Sequence, residues 1–233
     1  MDAARRDRCG QGNTEAVRKG LSVKERTIVI AGATSEAGLA VTRALVASGA
    51  RVVATGRDAG RLRPLADAGA DVEVSDATSV EEMTRLASRL GTVDGVIPLV
   101  GGWRGGGGLA GQSDADFDAL LPALQAVRAT SRAFDEALRA SEAGRFAVVS
   151  STAVARPLAG GANYAAMKAA SEAWTRAVAQ GYAKAARDTA EPLRTASVVF
   201  RTKGALDPAV LAPAVLALWT ADAADVNDRI IDL

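Results

Sequence analysis

The 233 residues carry 28 Lys and Arg against 27 Asp and Glu, with no histidine. A net charge of +1 provides no basic face for nucleic acid or acidic lipid, and the missing imidazole excludes a histidine general base, a histidine-dependent triad and most histidine-ligated metal sites. Apolar residues reach 48% and aromatic residues only 4%, which points to an aliphatic core in a single helix-rich α/β domain.

Residues 1–24 hold Arg5, Arg6, Arg8 and Arg18 among scattered acids and no apolar run; they read as a disordered arm, not a signal peptide. Cys9 is the only cysteine, so the chain cannot form an intrachain disulfide, which suits a reducing cytoplasm. The globular domain is expected over 25–233. It opens with a β-branched strand at 27–31, a glycine-containing turn, and a helix at 36–48 with Leu39, Val41, Leu45 and Val46 apolar. A strand at 51–55, a helix at 58–68 and a short strand at 71–74 follow. Ser79 with Glu82 three residues on reads as a capping box for a helix to about residue 90. The next strand is expected at 94–100, although Pro98 is awkward in a central strand. After a glycine-rich loop at 101–108, a helical stretch covers 113–140 and is expected to start or kink at Pro122. A strand at 145–150, an Ala-rich helix at 163–187, a strand at 194–200, a helix at 208–219 and a last strand at 229–233 complete the reading. The apolar run at 209–219 is too short to span a bilayer, so no membrane segment is expected. Strands that alternate with helices, and are themselves continuous apolar runs, predict a doubly wound parallel sheet of about seven strands with helices on both faces, a Rossmann fold.

The first strand runs into Ala31-Gly32-Ala33-Thr34-Ser35-Glu36-Ala37-Gly38. A diphosphate site at such a junction needs a sharp turn, a backbone that lets the ligand approach, and a helix N-terminus aimed at it. Gly32 suits the turn and Gly38 the close seating of the helix on the sheet, with Ala37 before it; Thr34 and Ser35 offer hydroxyls. The middle glycine of the usual pattern is replaced by Ser35 or Glu36, depending on the count, and a carboxylate beside a diphosphate is unfavourable unless it points away. An ordinary strand–turn–helix connection reads the same way. The second strand ends Ala54-Thr55-Gly56-Arg57-Asp58, where an acid normally accepts from the adenosine ribose hydroxyls. Arg57 there either clamps a ribose 2′-phosphate, favouring NADP with NAD as the alternative, or is a solvated residue at a helix start. Asp76, followed by Ala77, either accepts from the adenine amino group or hydrogen-bonds within its own loop. Gly101 opens the glycine-rich loop after the fourth strand.

Tyr164-Ala165-Ala166-Met167-Lys168 puts Tyr and Lys at i and i+4 on one helix face, and Ser151 stands thirteen residues before Tyr164 at a strand tip. A phenol normally titrates near 10 and a nearby ammonium favours its ionised form. Such a pair can give or take a proton while a hydride moves to or from a nicotinamide, with the serine hydroxyl holding the substrate oxygen. Tyr and Lys four apart also occur by chance. With Gly32 to Gly38, Asp76, Ser151, Tyr164 and Lys168 in this order, the chain from about residue 26 to 233 resembles the short-chain dehydrogenase/reductase family. The resemblance implies Tyr164 as general acid/base, Lys168 as its activator and nicotinamide-ribose ligand, Ser151 as substrate-oxygen donor, and a small-molecule carbonyl or alcohol as substrate. It also implies homodimers or homotetramers joined through the helices around 113–140 and 163–187.

The departures from the family are specific. The usual Asn-Asn-Ala-Gly after the fourth strand reads Pro98-Leu99-Val100-Gly101, and no Asn stands near Ala123 or Leu124, where only Gln125 is close. The usual Pro-Gly after the sixth strand is Arg201-Thr202, and the lid segment shrinks to a few residues around Lys203, Gly204 and Asp207. The loop Gly101-Gly102-Trp103-Arg104-Gly105-Gly106 is similar to that of dihydropteridine-reductase-like members; Trp103 either stacks on a flat substrate or packs on the protein surface, and Arg104 meets an anionic substrate or water. Two other readings compete. A catalytically silent dinucleotide binder, acting as redox sensor or structural subunit, is consistent with the absent Asn and short lid. A nucleotide-binding domain for S-adenosylmethionine calls for an acid at the end of strand two, where Gly56-Arg57 stands.

Overall fold

The structure is a computed structural model that describes residues 22–233. In chain order it contains β1 (Thr27–Ala31), α1 (Glu36–Ala47), β2 (Arg51–Gly56), α2 (Ala59–Asp67), β3 (Asp71–Val74), α3 (Val80–Leu90) and β4 (Gly95–Pro98). There follow α4 (Asp114–Ala133), α5 (Asp135–Ala140), β5 (Arg145–Ser151), α6 (Ala162–Thr189), β6 (Ala196–Thr202), α7 (Pro208–Ala217), α8 (Ala223–Val226) and β7 (Ile230–Asp232), with short 3-10 turns at Thr152–Val154 and Ala159–Gly161. All seven strands are parallel in the order β3-β2-β1-β4-β5-β6-β7. The expected doubly wound Rossmann sheet is present.

The alternation of β1 explains the two layers. Ile28 and Ile30 point to one face, where they pack with Val41 and Leu45 of α1, Leu62 and Leu65 of α2, and Leu211 and Val215 of α7. Val29 and Ala31 point to the other, with Met83 and Leu86 of α3, Ala126 and Val127 of α4, and Tyr182 of α6. Each fully buried branched side chain contributes about 1.5–3 kcal/mol relative to exposure. The strand order reverses between β1 and β4, and open α/β sheets bind ligands above such a switch point, at the carboxyl ends of their strands.

Several sequence-based boundaries move. Ser22–Lys24, assigned to the arm, belong to the domain: Val23 is buried in the core, and the Arg26 guanidinium donates to the Ser22 carbonyl at 2.6 Å. The remainder of the arm, including Cys9, lies outside the described residues. β4 stops at Pro98 rather than at residue 100, so the proline closes the strand instead of interrupting it, and the Leu99 N–H still reaches the Ala31 carbonyl at 2.8 Å. The helical stretch expected at 113–140 begins at the Ser113 cap, runs through Pro122, and breaks at Phe134, whose φ of −105° and ψ of 6° leave the helical region while its ring is fully buried. The capping box forms by half. Ser79 Oγ accepts from the Glu82 N–H, but the Glu82 carboxylate turns to the Ser75 hydroxyl and the Asp76 N–H, at 3.1 and 2.8 Å.

Candidate functional site

The turn between β1 and α1 is built from its sequence. Gly32 takes φ +77°, open to glycine with little strain, and its N–H faces Thr55 Oγ1 at 3.3 Å. A side chain at Gly38 would collide with the Ala33 carbonyl, so glycine is what lets α1 sit this close to the turn. Ser35 caps α1 by accepting from the Gly38 N–H at 3.1 Å, which leaves its hydroxyl proton free to donate outward. Thr34 is half-buried beside it and Ala37 is buried.

Two cavities meet above this turn. One, of about 340 Å³, is walled by Gly32, Thr34, Ser35, Gly56, Arg57 and Asp76, with Ala77, Thr78 and Pro122 also on its lining. The other, of about 400 Å³, reaches past Ala37 and Trp103 to Tyr164, Lys168 and the β6–α7 loop residues Gly204, Ala205 and Leu206. Ser35, Leu99, Val100 and Gly101 border both, so the two are halves of one groove across the β1–β4 switch point. An elongated groove passing over a glycine turn and a helix N-terminus fits a dinucleotide.

Every expected groove residue except Gly38 and Ser151 lies on this lining. Among the described residues Arg57 has no hydrogen-bond or ion-pair partner, and its neighbour Asp58 is committed to capping α2 through the Arg61 N–H at 3.0 Å. Asp76 Oδ1 accepts from the N–H and hydroxyl of Thr78, at 2.9 and 2.8 Å, so the local-loop role holds while the residue still faces the cavity. The sequence reading missed Arg61, a second guanidinium on the same wall, four residues after Arg57 and bonded to the Thr34 carbonyl at 3.2 Å. Glu36 stands exposed as the first residue of α1 and lines the larger cavity. Gln125 lines neither cavity. Trp103 is 60% exposed at the mouth of the larger one, and Arg104 folds back on the Trp103 carbonyl.

β5 ends at the buried Ser151, whose hydroxyl bonds to Tyr164, and α6 puts Tyr164 and Lys168 on the lining of the larger cavity. The Lys168 ammonium lies 5.7 Å from the Tyr164 ring centroid and donates to the Val149 carbonyl at 2.8 Å. Burial pushes the Lys168 ammonium down to about 8, opposed by the negative charge of Glu172. The expected lowering of the phenol is corrected. Burial raises Tyr164 above its ordinary value, and what pulls it partly back is the Ser151 hydroxyl, not the ammonium, which is turned toward Val149. At neutral pH the arrangement therefore presents a protonated phenol.

Behind this pair lies a buried ionic cluster that sequence reading did not anticipate. Glu172 is 5% exposed; its Oε1 accepts from the Ser150 hydroxyl at 2.6 Å and Arg201 Nε at 2.8 Å, and its Oε2 from Arg201 Nη2 at 2.6 Å. Burial alone would raise the Glu172 carboxyl, but the hydrogen bonds from Arg201 and Ser150 and the nearby guanidinium charges hold it below its ordinary value. The available signal was position: Glu172 follows Lys168 by four residues on the same face of α6.

Among the described residues no group of acids and cysteines could hold a metal ion, and no helix is long and apolar enough to cross a membrane. The short chain dehydrogenase family model matches residues 26–186. No curated protein matches the chain. Among solved structures, the chain is similar to a short chain dehydrogenase from Salmonella enterica serovar Typhi CT18, with 20% identity, a TM-score of 0.79, and coverage of 91% of this chain and 97% of that one. It is similar to one from Shigella flexneri, with 21% identity, a TM-score of 0.78, and coverage of 91% and 92%. A third, from Escherichia coli CFT073 and described as complexed with NADPH, gives 21% identity, a TM-score of 0.77, and coverage of 92% and 98%. With a match over more than half of its length and a sheet of the matching fold, this chain belongs to the short chain dehydrogenase family of NAD(P)-dependent oxidoreductases.

Proposed function

We propose that the chain is an NADP(H)-dependent carbonyl reductase or alcohol dehydrogenase in which Tyr164 moves the proton, Ser151 holds the substrate oxygen and Lys168 supports both phenol and cofactor. The observation that carries this reading is the continuity of the groove: the wall with Tyr164 and Lys168 runs without interruption into the glycine turn. Gly32, Thr34, Ser35, Ala37 and Gly38 would hold the diphosphate, Arg57 and Arg61 a ribose phosphate, and Asp76 and Ala77 the adenine end. Gly101 and Lys168 would meet the nicotinamide ribose. A bound nicotinamide supplies or accepts the hydride. The Tyr164 hydroxyl, protonated at neutral pH, gives its proton to the carbonyl oxygen in the reductive direction, and the Ser151 hydroxyl donates a second hydrogen bond to that oxygen. The short lid leaves the substrate end open between Trp103 and Leu206. Among the described residues Lys168 is the only cation on that lining, which suits neutral carbonyl compounds better than acids.

The guanidinium of Arg57, without a partner among the described residues, supports NADP, and so does the NADPH bound to the E. coli relative. The reading places the protein in the cytoplasm, on the strength of its lone cysteine, as a homodimer or homotetramer joined through α4 and α6, where Phe117 is exposed. The test combines turnover of a panel of ketones and aldehydes with fluorescence titration of NADPH and NADH. Tyr164→Phe is expected to abolish turnover while NADPH affinity stays within about twofold of wild type. Full turnover in that variant would remove Tyr164 from the mechanism, whereas saturable NADPH binding with no turnover of any panel member by the wild type would favour a catalytically silent binder. Arg57→Ala is expected to weaken NADPH by about tenfold or more, roughly 1.4 kcal/mol, and NADH hardly at all; equal weakening of both would exclude Arg57 from the phosphate site.

A further inference from the structure

Tyr164, Lys168 and Glu172 follow one another at i, i+4 and i+8, so they form a single stripe along α6 roughly 12 Å long. The stripe lies against β5 and is fastened to it at two successive residues: Lys168 Nζ on the Val149 carbonyl and Glu172 on the Ser150 hydroxyl. Ser150 is the register partner of Arg201 in the adjoining strand. Glu172 therefore closes a three-element junction of α6, β5 and β6, with Ser150 fully buried, Glu172 5% exposed and the Arg201 side chain 20% exposed.

A buried ion pair of this kind is weak evidence for stability, because desolvation offsets most of the Coulomb gain and a packed apolar pair does as well or better. Its place gives it another use. It stands one helical turn below Lys168 and one residue below Ser151, the two groups that flank the phenol. Resting on the reading of Tyr164 and Lys168 as the proton-transfer pair, we propose that Glu172 is the positioning residue of this site: held by Ser150 and Arg201, it fixes the α6 stripe against β5 and sets how much positive charge Lys168 keeps beside Tyr164.

The charged or titratable groups facing Lys168 are few. Tyr164 and Glu172 share its helix, Glu36 faces the same cavity from α1, and Arg201 approaches from β6 behind Glu172. Glu172 itself also feels Arg176, and Arg201 feels Asp232. In this arrangement Glu172 supports the ammonium and Arg201 moderates that support by sharing the carboxylate. On this proposal the two members of the pair act on Lys168 with opposite signs, Glu172 directly and Arg201 through the carboxylate it shares, which a merely structural staple does not do.

The experiment is NMR titration of the lysine side chains in protein labelled with ¹³C-lysine, which requires neither substrate nor turnover. The chain has five lysines, and Lys168→Met assigns the signal. Lys168 is expected to titrate near 8 in the wild type. Glu172→Gln keeps the shape and removes the charge; it is expected to lower the Lys168 midpoint by about half a unit or more. Arg201→Gln frees the carboxylate and is expected to raise it by a similar amount. An unmoved midpoint in folded Glu172→Gln, or a shift of the same sign in both variants, overturns the proposal. If Glu172→Gln fails to fold, Ser150→Ala and Arg201→Gln carry the test, since each loosens the carboxylate without deleting it and should raise the midpoint; no rise in either would overturn it. Because the readout is the lysine itself, its failure is distinct from failure of the oxidoreductase mechanism, which Tyr164→Phe turnover reports.

Discussion

Lys168 is a cation held where burial disfavours its charge. Its midpoint falls from 10.5 to about 8, a difference corresponding to roughly 3 kcal/mol against the folded state. Below pH 8 the folded and unfolded chains both carry the proton, and the fold bears the whole cost. Between about 8 and 10.5 the unfolded lysine retains a proton that the folded one has lost, so wild-type stability rises with pH across that window. Lys168→Met removes the cost at every pH. Its Tm is expected to exceed that of the wild type at pH 7, and the advantage should shrink as pH climbs from 8 toward 10, while turnover is lost throughout. Thermal unfolding of both proteins at pH 7, 8.5 and 10 measures this. A variant less stable than wild type at pH 7 would mean that the bond to the Val149 carbonyl outweighs the desolvation, and that the lysine is a structural asset rather than a group retained for chemistry.

At the level of elements, legibility follows local physics. The strands of the central sheet are apolar runs between turn residues, and their order along the chain announces the doubly wound sheet; β1, α1 and β2 differ from the sequence reading by a residue at most. Tyr164, Lys168 and Ser151 were legible because helical periodicity and a strand tip bring them together without long-range information. Contacts made across the fold were not legible. Gln112 is an example: its amide donates to the carbonyls of Gly106, Gly108 and Gly160 and its oxygen accepts from the Asn163 N–H, all within 3.2 Å. One polar side chain thus clamps the glycine-rich loop to the start of α6, beside Tyr164. Nothing near Gln112 in the sequence marks it. The same holds for Glu172 and Arg201, 29 residues apart, and for the break at Phe134, where burial of a ring overrides helix propensity. The phenol's raised midpoint was likewise invisible, since the spacing of Tyr and Lys says nothing about where the ammonium hydrogen-bonds.

For the molecule as a whole, a second buried cation shows the opposite economy at the other end of the sheet. Arg145 opens β5, and its guanidinium donates to the carbonyls of Leu218, Gly144, Arg194 and Ala221 at 2.7 to 3.0 Å. Burial and the neighbouring charge of Arg26 push it down to about 10, so it stays charged at neutral pH. Those carbonyls flank β5, precede β6 and follow α7, so one side chain ties the base of the sheet to the C-terminal layer. Charge-assisted bonds of this kind are worth roughly 1.5–3 kcal/mol each, and orphaned buried carbonyls add a penalty. Arg145→Met keeps the apolar stem but removes every donor. It is expected to cost about 3 kcal/mol, or roughly 6–12 °C in Tm for a domain of this size. The groove lies at the carboxyl ends of the strands and Arg145 at the amino end, so the variant, assayed well below its Tm, should bind NADPH as the wild type does. Thermal unfolding and NADPH titration of the same preparation separate the two expectations. A Tm unchanged from wild type would mean that water replaces the guanidinium at no cost. Weakened NADPH binding at low temperature would mean that the base of the sheet and the groove are coupled through β5, the strand that carries Ser151.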